Sequence, residues 1–291
     1  MTSPDRPKSG FGALLAAEVA SVGLAIRREA LIAGIGLAGT CAIVTIMAIR
    51  DPERVNMVPE VLLPTLVVAI ILPWLVWKGD PPFGRAYLWT LPVRRQQAAV
   101  AKVAAGAFWL ILAILAGFAM LAAMALATGG TVGAAETLLV GPLSGGLDGA
   151  SELPWSTPLW MWAVPFGAAL TVYAASSALL LGLRHPVRAV GAVALAVALF
   201  VILALNLGHD SALNHGLGRF LGVLIGGQWG LDFLMTGGLT SLSRHIEVPG
   251  ADSRELWVAL PTAGRWAAAL LVWFGAALIA LALALRRHWE R

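Results

Sequence analysis

Residues 78–102, KGDPPFGRAYLWTLPVRRQQAAVAK, lie between two apolar runs of membrane-spanning length. Five of the chain's twenty Lys and Arg residues fall there (Lys78, Arg85, Arg94, Arg95 and Lys102), against one carboxylate, Asp80. Short connections rich in Lys and Arg stay on the cytoplasmic side of a bilayer, because cations near span ends set orientation. Pro81 and Pro82 stop the helix that arrives from the membrane, since proline lacks the backbone donor and clashes with the preceding turn. Residues 85–91 then have room for about two helical turns, with Tyr87, Leu88 and Leu91 on one side. Pro92 suits the first turn of a second helix, VRRQQAAVAK, which runs on into the next apolar span. A short helix across the cytoplasmic end of two spans is a handle for a soluble partner.

Composition sets the class. Of 291 residues, 59% are hydrophobic and 12% charged, and the mean hydropathy is +0.81. A soluble domain carries roughly 25% charged residues, so this chain lacks the polar groups to cover its own surface and reads as a polytopic membrane protein. The single cysteine, Cys41, lies in an apolar run, which excludes a disulfide framework and a cysteine-based metal site. The net charge of +4 follows the cytoplasmic loops rather than forming one basic face, so it argues for no nucleic-acid partner.

Taken in order, residues 1–10 read as a flexible cytoplasmic tail, with no signal peptide. Residues 11–29 place Phe11, Leu15, Val19, Val22 and Ile26 at helical steps opposite Glu18, Arg28 and Glu29, a weakly amphipathic helix suited to the headgroup plane. Spans are expected over residues 31–49, 61–77, 105–127, 159–183, 187–207 and 266–285. The second contains Pro64 and Pro73 and is expected to be kinked, with Trp74 and Trp77 near the inner headgroups. Residues 128–158 hold Glu136, Asp148 and Glu152 and no Lys or Arg, the mark of an outer loop. Residues 217–239 are apolar but broken by Gly226, Gly227, Gln228 and Asp232. They either span or dip in from the outer face as short re-entrant helices. Six spans with both termini inside put 14 Lys and Arg inside and 6 outside, with 5 carboxylates inside and 11 outside. A seventh span would move Arg286, Arg287 and Arg291 outside, against the positive-inside bias. The expected fold is therefore all-α, a single membrane-spanning domain over 1–291.

Candidate chemistry is sparse. No GxxxxGK[ST] pattern is present, so the chain has no phosphate-cradling loop of its own. His209, Asp210 and His215 lack the spacing of a metal site, and Glu136, Asp148 and Glu152 have no supporting base or nucleophile; solvated loops are the expectation for both groups. Asp232, with Gln228 beside it, faces either a translocation path or gate, or else water at the outer interface. The expected spans hold few ionisable residues, which disfavours an ion-coupled carrier and an intramembrane hydrolase or transferase.

The interrupted short helix, followed by Leu91, Pro92, Val93, Arg94, Arg95 and then Lys102, resembles the first intracellular loop of type-2 ABC transporter permeases. That resemblance implies an amphipathic elbow helix before the first span, six spans, and re-entrant helices between spans five and six. It also implies a coupling helix within loop 78–104 that docks on a separate ATP-binding subunit through Arg85, Tyr87, Leu88, Leu91, Pro92, Arg94, Arg95 and Lys102. Arg94 and Arg95 are equally compatible with ordinary positive-inside charge. The family works as a dimer of permease subunits, identical or not, in the bacterial inner membrane, and favours export. The substrate expected is hydrophobic or amphipathic. This chain would bind no cofactor and catalyse nothing itself; ATP and Mg would enter through the partner. The alternative is a membrane-embedded enzyme or scaffold acting through the outer segments 129–158 and 208–264.

Overall fold

The structure, a computed structural model, describes residues 10–50, 54–78, 95–141, 150–206, 212–227, 229–246 and 254–290. It is mostly helical. The long helices are α1 (Phe11–Arg50), α2 (Thr65–Val76), α3 (Arg95–Ala127), α4 (Val164–Gly182), α5 (Pro186–Asn206), α6 (Ala212–Gly226) and α9 (Ala263–Glu290), with two short ones, α7 (Leu231–Thr236) and α8 (Leu239–Leu242). Helical 3-10 turns at Pro59–Leu62 and Leu159–Ala163 lead into α2 and α4. Five helical segments among the described residues are long and apolar enough to cross a membrane: α1, α2 with its leading turn, α3, α4 with its leading turn, and α9. Leu31, Ile35, Ile43, Ile46 and Ile49 of α1 stand exposed. In water so much bare apolar surface would drive association; hydrocarbon is its solvent, and the protein is membrane-embedded.

Two expectations about the helices change. The amphipathic stretch and the first span form one unbroken helix of 40 residues, about 60 Å long against a hydrocarbon core of roughly 30 Å. No proline interrupts residues 11–50, and their many Ala, Leu, Arg and Glu residues favour helix enough to carry Gly12, Gly23, Gly34, Gly36 and Gly39. Trp77, expected among the headgroups, is buried at 3% exposure, because α3 and α4 close over the end of α2. Trp74, one turn back, is the partly exposed one.

The core lies where α2, α3, α4 and α9 meet. Ala105, Leu110 and Ile114 of α3 pack with Leu72 and Val76 of α2, Tyr173 and Leu181 of α4, and Leu281 and Ala284 of α9. Small residues let the backbones approach, which replaces the hydrophobic drive that lipid cannot supply. Gly182 of α4 faces Ala284 of α9, and Gly167 faces Trp266 and Leu270, so these two helices run side by side in the same direction.

Two aromatic donors tie helices together through backbone oxygens. Trp109 Nε1 donates to the Val19 carbonyl, 2.9 Å away, and Gly23 leaves the space its indole fills. Tyr173 Oη donates to the Val103 carbonyl at 2.9 Å, and Gly106 gives it room. Trp109→Phe is expected to cost about 1 kcal/mol, the net worth of one hydrogen bond, and to loosen α1 from α3. A denaturation midpoint measured on the purified protein checks this, and a midpoint equal to the parent's contradicts it.

At one end the connections assemble into a cap that an all-α reading does not contain. Strands β1 (Ala135–Val140), β2 (Ser151–Ser156), β3 (Ser243–Ile246) and β4 (Arg254–Trp257) form one sheet in the order β2-β1-β4-β3. β1 pairs antiparallel with β2, in a register that sets Leu138 opposite Leu153. β1 also pairs parallel with β4, and β3 pairs antiparallel with β4. Pro154 is tolerated because β2 is an edge strand, where a missing N–H breaks no central ladder. Leu138 and Trp257 turn inward onto Phe233, Leu242 and Ala269, and Trp155 stacks on Trp257 with centroids 6.5 Å apart. The connection before α2 joins the same cap: Met57 N donates to the Thr131 carbonyl at 2.9 Å, Gly133 N donates to the Met57 carbonyl at 2.8 Å, and Asn56 Oδ1 accepts from Thr131 N. The outer segments 129–158 and 208–264, expected as separate, thus contribute strands to one sheet.

Candidate functional site

Three places bear on chemistry: the basic end opposite the cap, a cleft among α3, α4 and α9, and the carboxylate of Asp232.

Lys78, Lys102, Arg184, Arg188, Arg286 and Arg287 gather at the helix ends remote from the sheet, while Glu60, Glu136, Glu152 and Asp232 lie toward it. Residues 79–94 connect α2 to α3 at the basic end. Arg85, Tyr87, Leu88, Leu91, Pro92 and Arg94 lie outside the described residues, and Arg95 is described only as the first residue of α3. Lys102 and the residues next to the connection are held. Lys78 Nζ sits 3.3 Å from Glu29 Oε1, with the lysine side chain 70% exposed. A solvent-screened pair of this kind adds little to stability; its value is positional, fixing the end of α2 against α1. Lys102 Nζ lies 4.7 Å above the Trp77 ring, a cation–π contact that ties the first turns of α3 to the residue that directly follows α2. The connection therefore springs from two braced helix ends.

The cleft has a volume of about 190 Å³ and is lined by carbon. Its one hydroxyl, on Tyr173, is committed to the Val103 carbonyl. Nothing in it can act as nucleophile or base. Among the described residues no three His, Cys, Asp or Glu side chains converge to hold a metal; His215 lies on α6, and His209 and Asp210 are outside the described residues.

Asp232 is the only buried charged side chain among the described residues, at 7% exposure. It stands in the first turn of α7, where the helix dipole favours a carboxylate, and its oxygens are saturated. Oδ1 accepts from Thr236 Oγ1 at 2.8 Å and from the Thr240 hydroxyl. Oδ2 accepts from Ser241 N at 2.9 Å and from the Ser241 hydroxyl. The Ser241 N–H is one of the orphan donors at the start of α8, so Asp232 caps a helix other than its own. Between α7 and α8 the chain turns through Gly237 (φ 75°) and Gly238 (φ 93°), a left-handed pair open only to glycine at low cost. Thr236 Oγ1 accepts from Gly238 N and Leu239 N, at 3.3 and 3.2 Å. Asp232 thus neither reaches water freely nor offers a spare lone pair; it staples α7 to α8 beneath the sheet. Gln228, its companion in the sequence, lies outside the described residues.

Thr236, Thr240 and Ser241 were not among the residues singled out from sequence. The signal was present as an aspartate followed by hydroxyl residues four, eight and nine positions on, around a Gly-Gly turn. Compared with family models, with curated proteins and with solved structures, the chain matched none.

Proposed function

We propose that this protein is the membrane-spanning permease subunit of an ATP-driven transporter of the type-2 ABC class, moving a hydrophobic or amphipathic substrate outward. The observation that carries the reading is the α2–α3 connection. It is short, rich in cations and proline, rises from two braced helix ends, and lies at the basic end of the bundle. A segment so placed transmits a push from below into α2 and α3, and through the Tyr173–Val103 tie into α4. The distribution of charge supports a cytoplasmic basic end and an outer cap; on this reading α5 is the fifth of six spans, α9 the sixth, and α6 to α8 the re-entrant part between them. A bacterial inner membrane, a second permease subunit and an ATP-binding subunit that carries Mg and ATP complete the reading. The described spans offer no buried acid–base pair for ion coupling, so energy from a separate ATPase is the consistent source.

Tyr87→Ala with Leu88→Ala tests the reading. The double variant is expected to reach the membrane at the parent's level while transport-linked ATP hydrolysis in the complex falls at least tenfold, the loss of about 1.4 kcal/mol of coupling contact. Hydrolysis at the parent's rate would contradict it. The cap favours one competing reading, a scaffold that works through its outer surface, since two distant segments fold into one sheet. On that reading, Leu153→Asp on the edge strand would abolish activity while the Tyr87/Leu88 variant would not.

A further inference from the structure

Among the described residues the main helices fall into two packed groups. α1 lies along α3, pinned by the Trp109 Nε1 bond to the Val19 carbonyl and by the space that Gly23 leaves for the indole. α4 lies along both α2 and α9, with Gly182 against Ala284 and Gly167 against Leu270. A seam separates α1 and α3 from α2, α4 and α9. Helix pairs across it pack less extensively than α1 does with α3, or α4 with its two neighbours.

The two halves of the seam differ. Near the cap, large side chains interlock: Phe118 meets Trp162 edge to face with centroids 5.3 Å apart, and Leu121 packs with Met57 and Leu62. Backbone hydrogen bonds close that end, from Met57 N to the Thr131 carbonyl and from Gly133 N to the Met57 carbonyl. Near the basic end the facing residues are small. Ala104 and Ala107 of α3 and Ala174 of α4 line the cleft, and Gly106 abuts Tyr173. Small surfaces part with less loss of dispersion than interlocked large ones. What crosses the seam here is a set of side-chain ties: Tyr173 Oη to the Val103 carbonyl, Lys102 over Trp77, and Lys78 with Glu29. Ties of these kinds are individually weak. Val103 lies inside α3, so its carbonyl keeps a helical partner when the tyrosine leaves.

We infer that the seam is a hinge with a latch: α1 and α3 swing as one body against α2, α4 and α9, pivoting at the cap. The Tyr173–Val103, Lys102–Trp77 and Lys78–Glu29 contacts fasten the basic end. Packed bodies that meet across a releasable contact turn a local shift into a movement of whole elements. Residues 79–94 join α2 of one body to α3 of the other at the latched end, where the separation is widest. The inference stands on the packing and does not depend on the transporter reading.

The test uses the full chain purified in mild detergent, with Cys41→Ser removing its one thiol and a water-soluble maleimide as the probe. Single cysteines are placed at three buried positions: Val103→Cys at the latched half of the seam, Leu121→Cys at the hinge, and Ala284→Cys inside the α4–α9 contact. When opening is fast relative to labelling, the labelling rate follows the open population. Tyr173→Phe is expected to raise the Val103→Cys rate about fivefold, the equivalent of one ordinary hydrogen bond, and to leave the other two positions unchanged. Glu29→Gln, a surface change that carries little risk to folding, is expected to raise the same rate about twofold. It loosens a tie formed without Val103 or Tyr173, so a defect confined to the tyrosine's own site would not produce that rise. Either variant leaving the Val103→Cys rate unchanged would overturn the inference, as would rises of equal size at all three positions.

Discussion

Asp232→Ala is expected to lower stability by about 3 kcal/mol. The carboxylate accepts from Thr236, Thr240 and twice from Ser241. Hydrogen bonds to a charged acceptor contribute roughly 1.5–3 kcal/mol each. The three hydroxyls can rotate toward other oxygens after truncation, so most of their share is recovered. The Ser241 N–H cannot rotate. It is left at the start of α8 with no acceptor, and the α7–α8 turn loses the cross-link that holds Gly237 and Gly238 in their left-handed conformation. Asp232→Asn keeps one acceptor oxygen but turns a donor toward the Ser241 N–H or toward the Thr240 hydroxyl, so an intermediate loss is expected. The effect should be local. Amide exchange in residues 229–246 and in β1 and β4 should rise, while α3 and α4 keep their protection. Calorimetry or a fluorescence melt of the detergent-purified protein measures the total, and a melt unchanged in Asp232→Ala would show that the carboxylate carries no structural load.

Gly106→Leu is the second large effect. A Cβ at this position would lie 2.9 Å from Tyr173 Cζ and 3.1 Å from Val76 Cγ2, and closer still to the tyrosine hydroxyl. The larger side chain must displace Tyr173 from its bond to the Val103 carbonyl, or push α2 and α4 off α3. Overpacking of this kind costs about 1–3 kcal/mol, and the lost hydrogen bond adds about 1 kcal/mol. On the proposed function, a variant that still folds is also expected to fail in transport, because α3 is the helix that the α2–α3 connection leads into. Gly117→Ala is the control on the same helix: its Cβ would meet only Leu62 Cδ2, at 4.0 Å. Parent-like stability is expected for Gly117→Ala and a clear loss for Gly106→Leu; the same melt for both would contradict the packing described.

The helical frame was legible because apolar runs of spanning length leave few alternatives. α3, α4 and α9 fall close to the expected limits, and the charge bias alone separated the two ends. The cap was not legible. Its defining pair joins β1 to β4, more than a hundred residues apart and in parallel, and no local pattern announces such a contact. Pro154 and the Gly-rich residues 141–149 also argue for loop when read locally, and only the edge position of β2 reconciles the proline with a strand. Asp232 stood out as a costly charge, but its partners depend on the α7–α8 turn, which brings Thr240 and Ser241 back over the first turn of α7. Trp77 was read as an interfacial aromatic from its place at a span's end; burial under α3, with Lys102 over its ring, is a packing outcome. Tyr87, Leu88, Leu91 and most of the expected docking face lie outside the described residues, with Arg95 and Lys102 on α3, so that part of the reading rests on the resemblance and on the braced helix ends.

A photo-crosslinking residue in place of Tyr87, incorporated in the full chain in its native membrane, examines the α2–α3 connection where it matters. Irradiation is expected to join the chain to a soluble polypeptide carrying a GxxxxGK[ST] motif, with a yield that changes when ATP and Mg are added. Crosslinks to lipid alone, or quenching of position 87 by an impermeant reagent applied to the outer face, would contradict the assignment of this protein as the mechanical half of an ATP-driven transporter.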